Sequence, residues 1–305
     1  MSSILEITGA DIQRLVSPQD AVDALTELLC SDFDPSDDLH RASFALPFGS
    51  FLIMPSAAGD FAGIKIVTVS PDDPQRMAPR IQASYNLYDA WTLTQIALLD
   101  GTELTTLRTP AVSMLAIRPF LASLPATVTV IIFGAGPQGQ GHALALRAEL
   151  ATHELVANIT FVTRVTSVDD IANLLPKADI VICATTSKKP LFDSSLLKNN
   201  VIIVAVGSHD PDAREVDAAL CRRAHVIVED RAAALREAGD IIHSIAEGAI
   251  TKAQLIPLKQ LVLRPESILR DRPVFFKSLG MSWEDLAVAS AIYTAHGKAL
   301  SDSSD

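Results

Sequence analysis

The chain has 305 residues, 49% hydrophobic and 20% charged, with 25 Lys plus Arg against 36 Asp plus Glu and a net charge of −11. That length suits about two domains of roughly 150 residues each. A chain this acidic lacks the broad basic surface that a nucleic-acid backbone or an anionic membrane selects, so neither is expected as a partner. Cys30, Cys183 and Cys221 lie far apart with no CxxC pair, which fits free thiols in a reducing compartment. The opening MSSILEITGADIQRL carries acidic residues where a signal peptide has basic ones, and no apolar run approaches the ~18 residues a membrane span needs. A cytoplasmic protein is expected.

In chain order, residues 9–29 place apolar side chains at helical spacing, with Ser17 before Pro18 as a helix start. Residues 42–99 then break into SFALPFG, SFLIMPS, AGIKIVTVS, IQASYNLYDA and LTQIALLDG, separated by Pro, Gly and Asp clusters. Those are the strands of an antiparallel sheet. Residues 109–123 read as a helix. From residue 126 the pattern changes to apolar strands alternating with helices: TVTVIIFGAG, PQGQGHALALRAELAT, ITFVTR, VDDIANLLPKA, DIVICATT, NVIIVAVG, REVDAALCRRA and AHVIVED. This rhythm predicts right-handed βαβ units and a doubly wound parallel sheet. The amphipathic SWEDLAVASAIYTAHGKAL returns to the first domain, and a short SDSSD tail follows. The expected fold is therefore α/β. A Rossmann domain over 119–280 joins an α+β domain with antiparallel strands over 1–118, completed by 281–305.

Gly134-Ala135-Gly136-Pro137-Gln138-Gly139 matches GxGxxG directly after a β-branched strand and at the start of a helix, the context a dinucleotide site requires. The glycines let the backbone turn tightly and approach a pyrophosphate, whose charge the helix N-terminus stabilises. About thirty residues beyond Gly134, the second strand ends in Thr163-Arg164-Val165-Thr166-Ser167, with no carboxylate before Asp169. Arg164 suits a 2′-phosphate, with Thr163, Thr166 and Ser167 adding neutral hydrogen bonds, so NADP(H) is preferred over NAD(H). Arg41, Lys65 and Arg108 stand in apolar surroundings in the first domain. A salt bridge explains any one of them; three together suggest a pocket for a carboxylate. The acidic cluster Asp32, Asp34, Asp37 and Asp38 lacks the alternation, central Gly and terminal Glu of a calcium loop, and reads as a solvated loop. With HxxxH and HExxH absent, no metal site is expected.

Arg41, the MPS at residues 54–56, GIKIVTVSP, LLDGTELTTLRTPAVS, GAGPQG, VGSHDPDAREVD and FFKSLGMSWEDLA run in order along most of the chain. This ordered set resembles the ornithine cyclodeaminase/mu-crystallin family over about residues 5–295. The resemblance implies a homodimer whose first domain binds substrate and dimerises. It also implies that Arg41, Lys65 and Arg108 hold a substrate carboxylate, with Lys65 near the reacting atoms. Thr109, Ala135, Gly136, Gln138, Thr163, Arg164, Thr185, Val206 and Ser278 would line the cofactor, beside Gly134 and Gly139. Deaminating members carry an Asp two residues before the Pro of this loop; here that position is His209. The GSHxPDARE and RTPAVS forms look most like the Δ1-pyrroline-2-carboxylate reductase branch. The implied activity is NAD(P)H-dependent reduction of a cyclic imino acid, Δ1-pyrroline-2-carboxylate or its six-membered homologue Δ1-piperideine-2-carboxylate, to proline or pipecolate. Lys65 and His209 both remain candidate proton donors. Two other readings stay open: an ornithine cyclodeaminase forming L-proline and ammonia, and a non-catalytic NADPH-dependent ligand-binding protein.

Overall fold

The computed structural model describes residues 4–71 and 77–302. The Asp/Pro cluster at 72–76 and the last three residues of the acidic tail lie outside the described residues. The chain begins with β1 (Leu5–Ile7), α1 (Gly9–Leu15) and α2 (Pro18–Cys30). Thr8 and Ser17 each cap a helix, with Asp11 and Asp20 completing reciprocal capping boxes. The helical stretch expected over 9–29 is two helices, and the second starts at Ser17 and Pro18, as expected.

Five strands follow: β2 (Ala42–Leu46), β3 (Gly49–Ala58), β4 (Phe61–Val69), β5 (Ile81–Asp89) and β6 (Gln95–Asp100). They form an antiparallel meander, with β1 added parallel to β6, in the order β1-β6-β5-β4-β3-β2. α3 (Gly101–Ile117) starts eight residues before the expected helix. Asp100 accepts from the backbone N–H groups of Thr102 and Glu103 and so opens the helix directly off β6. A short 3-10 segment, Arg118–Ser123, ends that stretch.

The second sheet contains β7 (Thr127–Phe133), then α4 (Pro137–Ala151), β8 (Val156–Val162), α5 (Val168–Leu174), β9 (Ile180–Cys183) and β10 (Ile202–Ala205). α6 (Ala218–Arg223), β11 (His225–Val228), α7 (Arg231–Glu237), α8 (Gly239–Ala246), β12 (Leu255–Pro257), α9 (Leu258–Leu263) and β13 (Val274–Lys277) complete it. All seven strands are parallel, in the order β12-β11-β13-β10-β9-β7-β8. β9, β10 and β13 are buried along their whole length, as strands covered on both faces must be. The sequence reading missed β12 and β13, and β13 inserts between β10 and β11. α10 (Ser282–Asp302) ends the described chain.

The chain divides into two compact units, 1–108 with 281–305 and 109–280. The first boundary falls inside α3, whereas the sequence placed it at 118, just past that helix's end. In the first unit, α10 packs on α2, β3 and β4. The edge strand β2, its neighbour β3 and the turn between them expose Phe44, Leu46, Phe48 and Phe51 to solvent. Among the described residues, no helix is long and apolar enough to cross a membrane.

Candidate functional site

Lys65 lies mid-strand in β4, opposite Met54 of β3 and Tyr85 of β5, on the buried face of the first sheet. Arg41 directly precedes Ala42, which pairs with Ile53, so by this register Arg41 falls level with Met54, Lys65 and Tyr85. Two strand spacings separate it from Lys65, about 10 Å. Arg108 comes from the N-terminal half of α3. Both Lys65 and Arg108 are almost fully buried, at 1% and 5% exposure.

Buried charges need partners, and here α10 supplies them. Lys65 Nζ lies 2.7 Å from each oxygen of Asp285, and it also donates to Thr105 Oγ1 at 3.3 Å. Arg108 donates through Nε to Asp285 Oδ1 at 3.0 Å and through Nη1 to Glu284 Oε2 at 2.6 Å. Glu284 and Asp285 occupy the first turn of α10, where the helix dipole favours negative charge. Lys65 and Arg108 are thereby held as neighbours on one shared carboxylate. Burial, reinforced by the Arg108 charge, lowers the Lys65 pKa from 10.5 to about 8, with Asp285 opposing the fall.

Around this cluster, the Tyr85 hydroxyl reaches over Gly63, where a Cβ would lie 2.0 Å from it. That hydroxyl has no hydrogen-bond partner among the described residues, and burial raises its pKa well above 10.0. Asp38 departs from the solvated-loop reading. It turns inward to accept from Ser56 Oγ at 2.8 Å, and burial raises its pKa.

The second unit holds the glycine loop. Gly134 adopts φ 98°, and a Cβ there would press to 2.4 Å from the Ala184 carbonyl oxygen. A Cβ on Gly139 would lie 2.0 Å from the Gly134 carbonyl oxygen, so the third glycine is what lets α4 pack against β7. Gly136, the N-cap of α4, differs: a Cβ there would meet no atom within 4 Å apart from its chain neighbours. The second glycine thus faces open space at a helix N-terminus, where a pyrophosphate backbone approaches in this fold. The buried Gln138 side-chain oxygen finds no partner among the described residues, and a ribose hydroxyl is a donor of the type it lacks. These residues fit a dinucleotide.

The other residues expected to line the cofactor are distributed over this unit. Ala135, Thr163 and Arg164 are exposed, and the Thr163 N–H donates to Thr166 Oγ1 at 3.1 Å, closing the turn after β8. Thr185 and Val206 follow β9 and β10. Thr109 is buried in α3, near Ser113 and His142. Ser113 Oγ donates to the Thr109 carbonyl at 3.1 Å and lies 3.0 Å from His142 Nε2. The other ring nitrogen of His142 lies 2.7 Å from the Gln138 carbonyl, and burial lowers the pKa of His142 to about 4. His209 is exposed in the loop after β10. Ser278 is buried and donates to Glu229 at 2.7 Å, so its hydroxyl faces the scaffold. Among the described residues, no three metal-ligating side chains gather.

The sequence reading missed the acidic partners. Glu284, Asp285, Glu215, Glu229 and Asp240 are all buried, as is Lys277. The visible signal was charge amid apolar neighbours, in SWEDLA and VFFKSLG.

A doubly wound sheet carrying this cradle defines a dinucleotide-binding protein with a second, cation-bearing unit. Residues 40–299 match the Ornithine cyclodeaminase/mu-crystallin family, and the chain belongs to it. It is 32% identical over 254 residues to Delta(1)-pyrroline-2-carboxylate reductase 2 of Burkholderia ambifaria, covering 78% of each chain. It is 31% identical over 256 residues to ketimine reductase mu-crystallin of Mus musculus, covering 79% of each. A probable ornithine cyclodeaminase from Bordetella pertussis Tohama I has a similar structure. Its TM-score is 0.84 at 27% identity, covering 97% of this chain and 98% of that one.

Proposed function

We propose that this chain is a homodimeric, NADPH-dependent imine reductase. It converts Δ1-pyrroline-2-carboxylate, and its six-membered homologue, to the L-amino acid. The observation that carries this reading is the fixed pair of buried cations, Lys65 and Arg108, in a chain whose other unit bears a dinucleotide cradle. The names of the Burkholderia and mouse relatives support the same chemistry.

A reduced nicotinamide, when bound, supplies a hydride. Gly134, Ala135, Gly136, Gln138 and Gly139 would hold its pyrophosphate and ribose, Thr163 and Arg164 its 2′-phosphate, and Thr109, Thr185, Val206 and Ser278 the remainder. Arg41, Lys65 and Arg108 orient the substrate carboxylate. Because Glu284 and Asp285 already neutralise two of these cations, the substrate anion shares them and does not replace a counter-ion. The imine carbon gains the hydride and the nitrogen gains a proton. Lys65, with a pKa lowered to about 8, is charged at neutral pH yet releases its proton readily, which suits it to that donation. His209 is the alternative donor, exposed on the loop after β10. The apolar row on β2 and β3 is the surface a second copy would cover.

The Bordetella structural relative keeps ornithine cyclodeamination as the second reading. NADPH oxidation driven by the cyclic imine, without ammonia release from ornithine, supports the reductase; ammonia release from ornithine overturns it.

A further inference from the structure

Among the buried carboxylates outside the cradle, Glu215 sits beside the strand ends that carry Thr185 and Gly207. Glu215 is wholly buried between β10 and α6. Its Oε1 accepts from the Thr185 backbone N–H at 2.9 Å and from Thr185 Oγ1 at 2.7 Å. Its Oε2 accepts from the Gly207 N–H at 2.8 Å. Thr185 follows β9 and Gly207 follows β10, so one side chain ties together the carboxyl ends of two neighbouring strands. The tie is close: a Cβ on Gly207 would sit 1.9 Å from the Thr185 carbonyl oxygen.

Glu215 is itself anchored. Asp240 Oδ1 accepts from the backbone N–H groups of Glu215 at 2.7 Å and Val216 at 3.0 Å. Lys277 Nζ lies 3.1 Å from Asp240 Oδ2 and donates to the Ser208 carbonyl at 2.7 Å. The loops after β9 and β10 are therefore pinned from below by Glu215 and Lys277. Three donors on one carboxylate call for its ionised form. Burial pushes the Glu215 pKa up and the Lys277 charge opposes that. A buried ionic network is weak evidence for stability, since apolar packing often stabilises a core as well, and what this one does visibly is fix the two loops.

In doubly wound sheets, ligands lie outside the carboxyl ends of the strands, with the two halves of a dinucleotide on either side of the switch point. Here the order reverses at β7, and the glycine loop and Arg164 lie on the β7–β8 side. We infer that Glu215 is a positioning residue for the nicotinamide half of the cofactor, acting through Thr185, Gly207 and Ser208. This rests on the dinucleotide reading above.

The test compares Glu215→Gln and Glu215→Asp with the parent protein. It uses NADPH binding by fluorescence, ADP-ribose binding by calorimetry, and thermal melting. ADP-ribose carries the adenosine and pyrophosphate but no nicotinamide ring. Glu215→Gln should weaken NADPH by about tenfold or more and leave ADP-ribose within about twofold, as expected where hydrogen bonds to a charged group are lost at one end of the site. Glu215→Asp keeps the charge beside Lys277 but is one methylene shorter. It should show the same split with smaller amplitude, and it serves if the amide variant does not fold. Parallel weakening of both ligands, or no change in either, overturns the inference. A parent protein that binds neither ligand defeats the dinucleotide reading itself.

Discussion

Replacing Lys65 with Met keeps the aliphatic stem and removes only the charge that Asp285 holds at 2.7 Å. Deleting one partner of a buried ion pair costs about 3–5 kcal/mol. Arg108 still reaches Asp285 at 3.0 Å, and the lowered Lys65 pKa means that the fold holds this charge at a cost, so the loss falls below that range, at about 1 kcal/mol. In a chain of this size that is a loss of only about 2 °C in melting temperature. The catalytic effect has a separate signature. A lost charge contact to a substrate carboxylate is worth about 2–4 kcal/mol, or roughly 30- to 1000-fold in kcat/KM. Above a pH of about 8 the parent's Lys65 loses its proton, so its kcat/KM falls through that range, whereas the variant is low throughout and lacks that limb. The stability linkage runs the other way. Between about 8 and 10.5 the unfolded chain binds this proton and the folded one does not, so Lys65 makes the parent gain stability with pH there. Thermal melts and pH–rate profiles of both proteins with the cyclic imine provide the assay. A variant with unchanged kcat/KM, or one that keeps the alkaline limb, refutes the role given to Lys65.

Three further outcomes are expected. Gly139→Ala drives a Cβ to 2.0 Å from the Gly134 carbonyl oxygen, so cofactor binding measured by fluorescence should be lost; parent-like binding would contradict the cradle. Arg164→Ala should raise the KM for NADPH by about 10- to 100-fold, the worth of a charge-assisted hydrogen bond, and leave that for NADH nearly unchanged. Equal effects on both cofactors would remove Arg164 as the phosphate reader. His142 is held neutral, its pKa about 4 against 6.5 in the unfolded chain. Its contribution is fully present above pH 6.5 and lost as pH falls through about 4, about 3 kcal/mol in all. Denaturant melts at several pH values should show this slope for the parent but not for His142→Phe, and an imidazole resonance titrating near 6.5 would contradict it.

The parallel sheet was legible because its strands carry continuous apolar runs, VIIF at 130–133 and VIIVAV at 201–206, and the glycine loop because its spacing follows directly from strand–turn–helix geometry. Short elements were not. VFFK of β13 is four residues with a lysine, and only the gap between β10 and β11 shows that it is a central strand. Periodicity alone runs unbroken from α1 to α2, and it was the capping serine and the proline after it that marked where α2 begins. Lys65 and Arg108 were visible as charges in apolar settings, but their partners were not. Glu284 and Asp285 lie 176 to 220 residues away, and an acidic first turn is ordinary on any solvated helix. Local pattern carries no information about pairing at that range. For the same reason Asp38 resembled its solvated neighbours until Ser56 was placed beside it.

The most direct test of the account is NADPH oxidation by the purified protein with Δ1-pyrroline-2-carboxylate, run beside NADH and beside ornithine plus NAD with ammonia detection. The account predicts rapid oxidation of NADPH by the imine, slower oxidation of NADH, and no ammonia from ornithine. Ammonia from ornithine, or tight NADPH binding with no turnover of the imine, would contradict it.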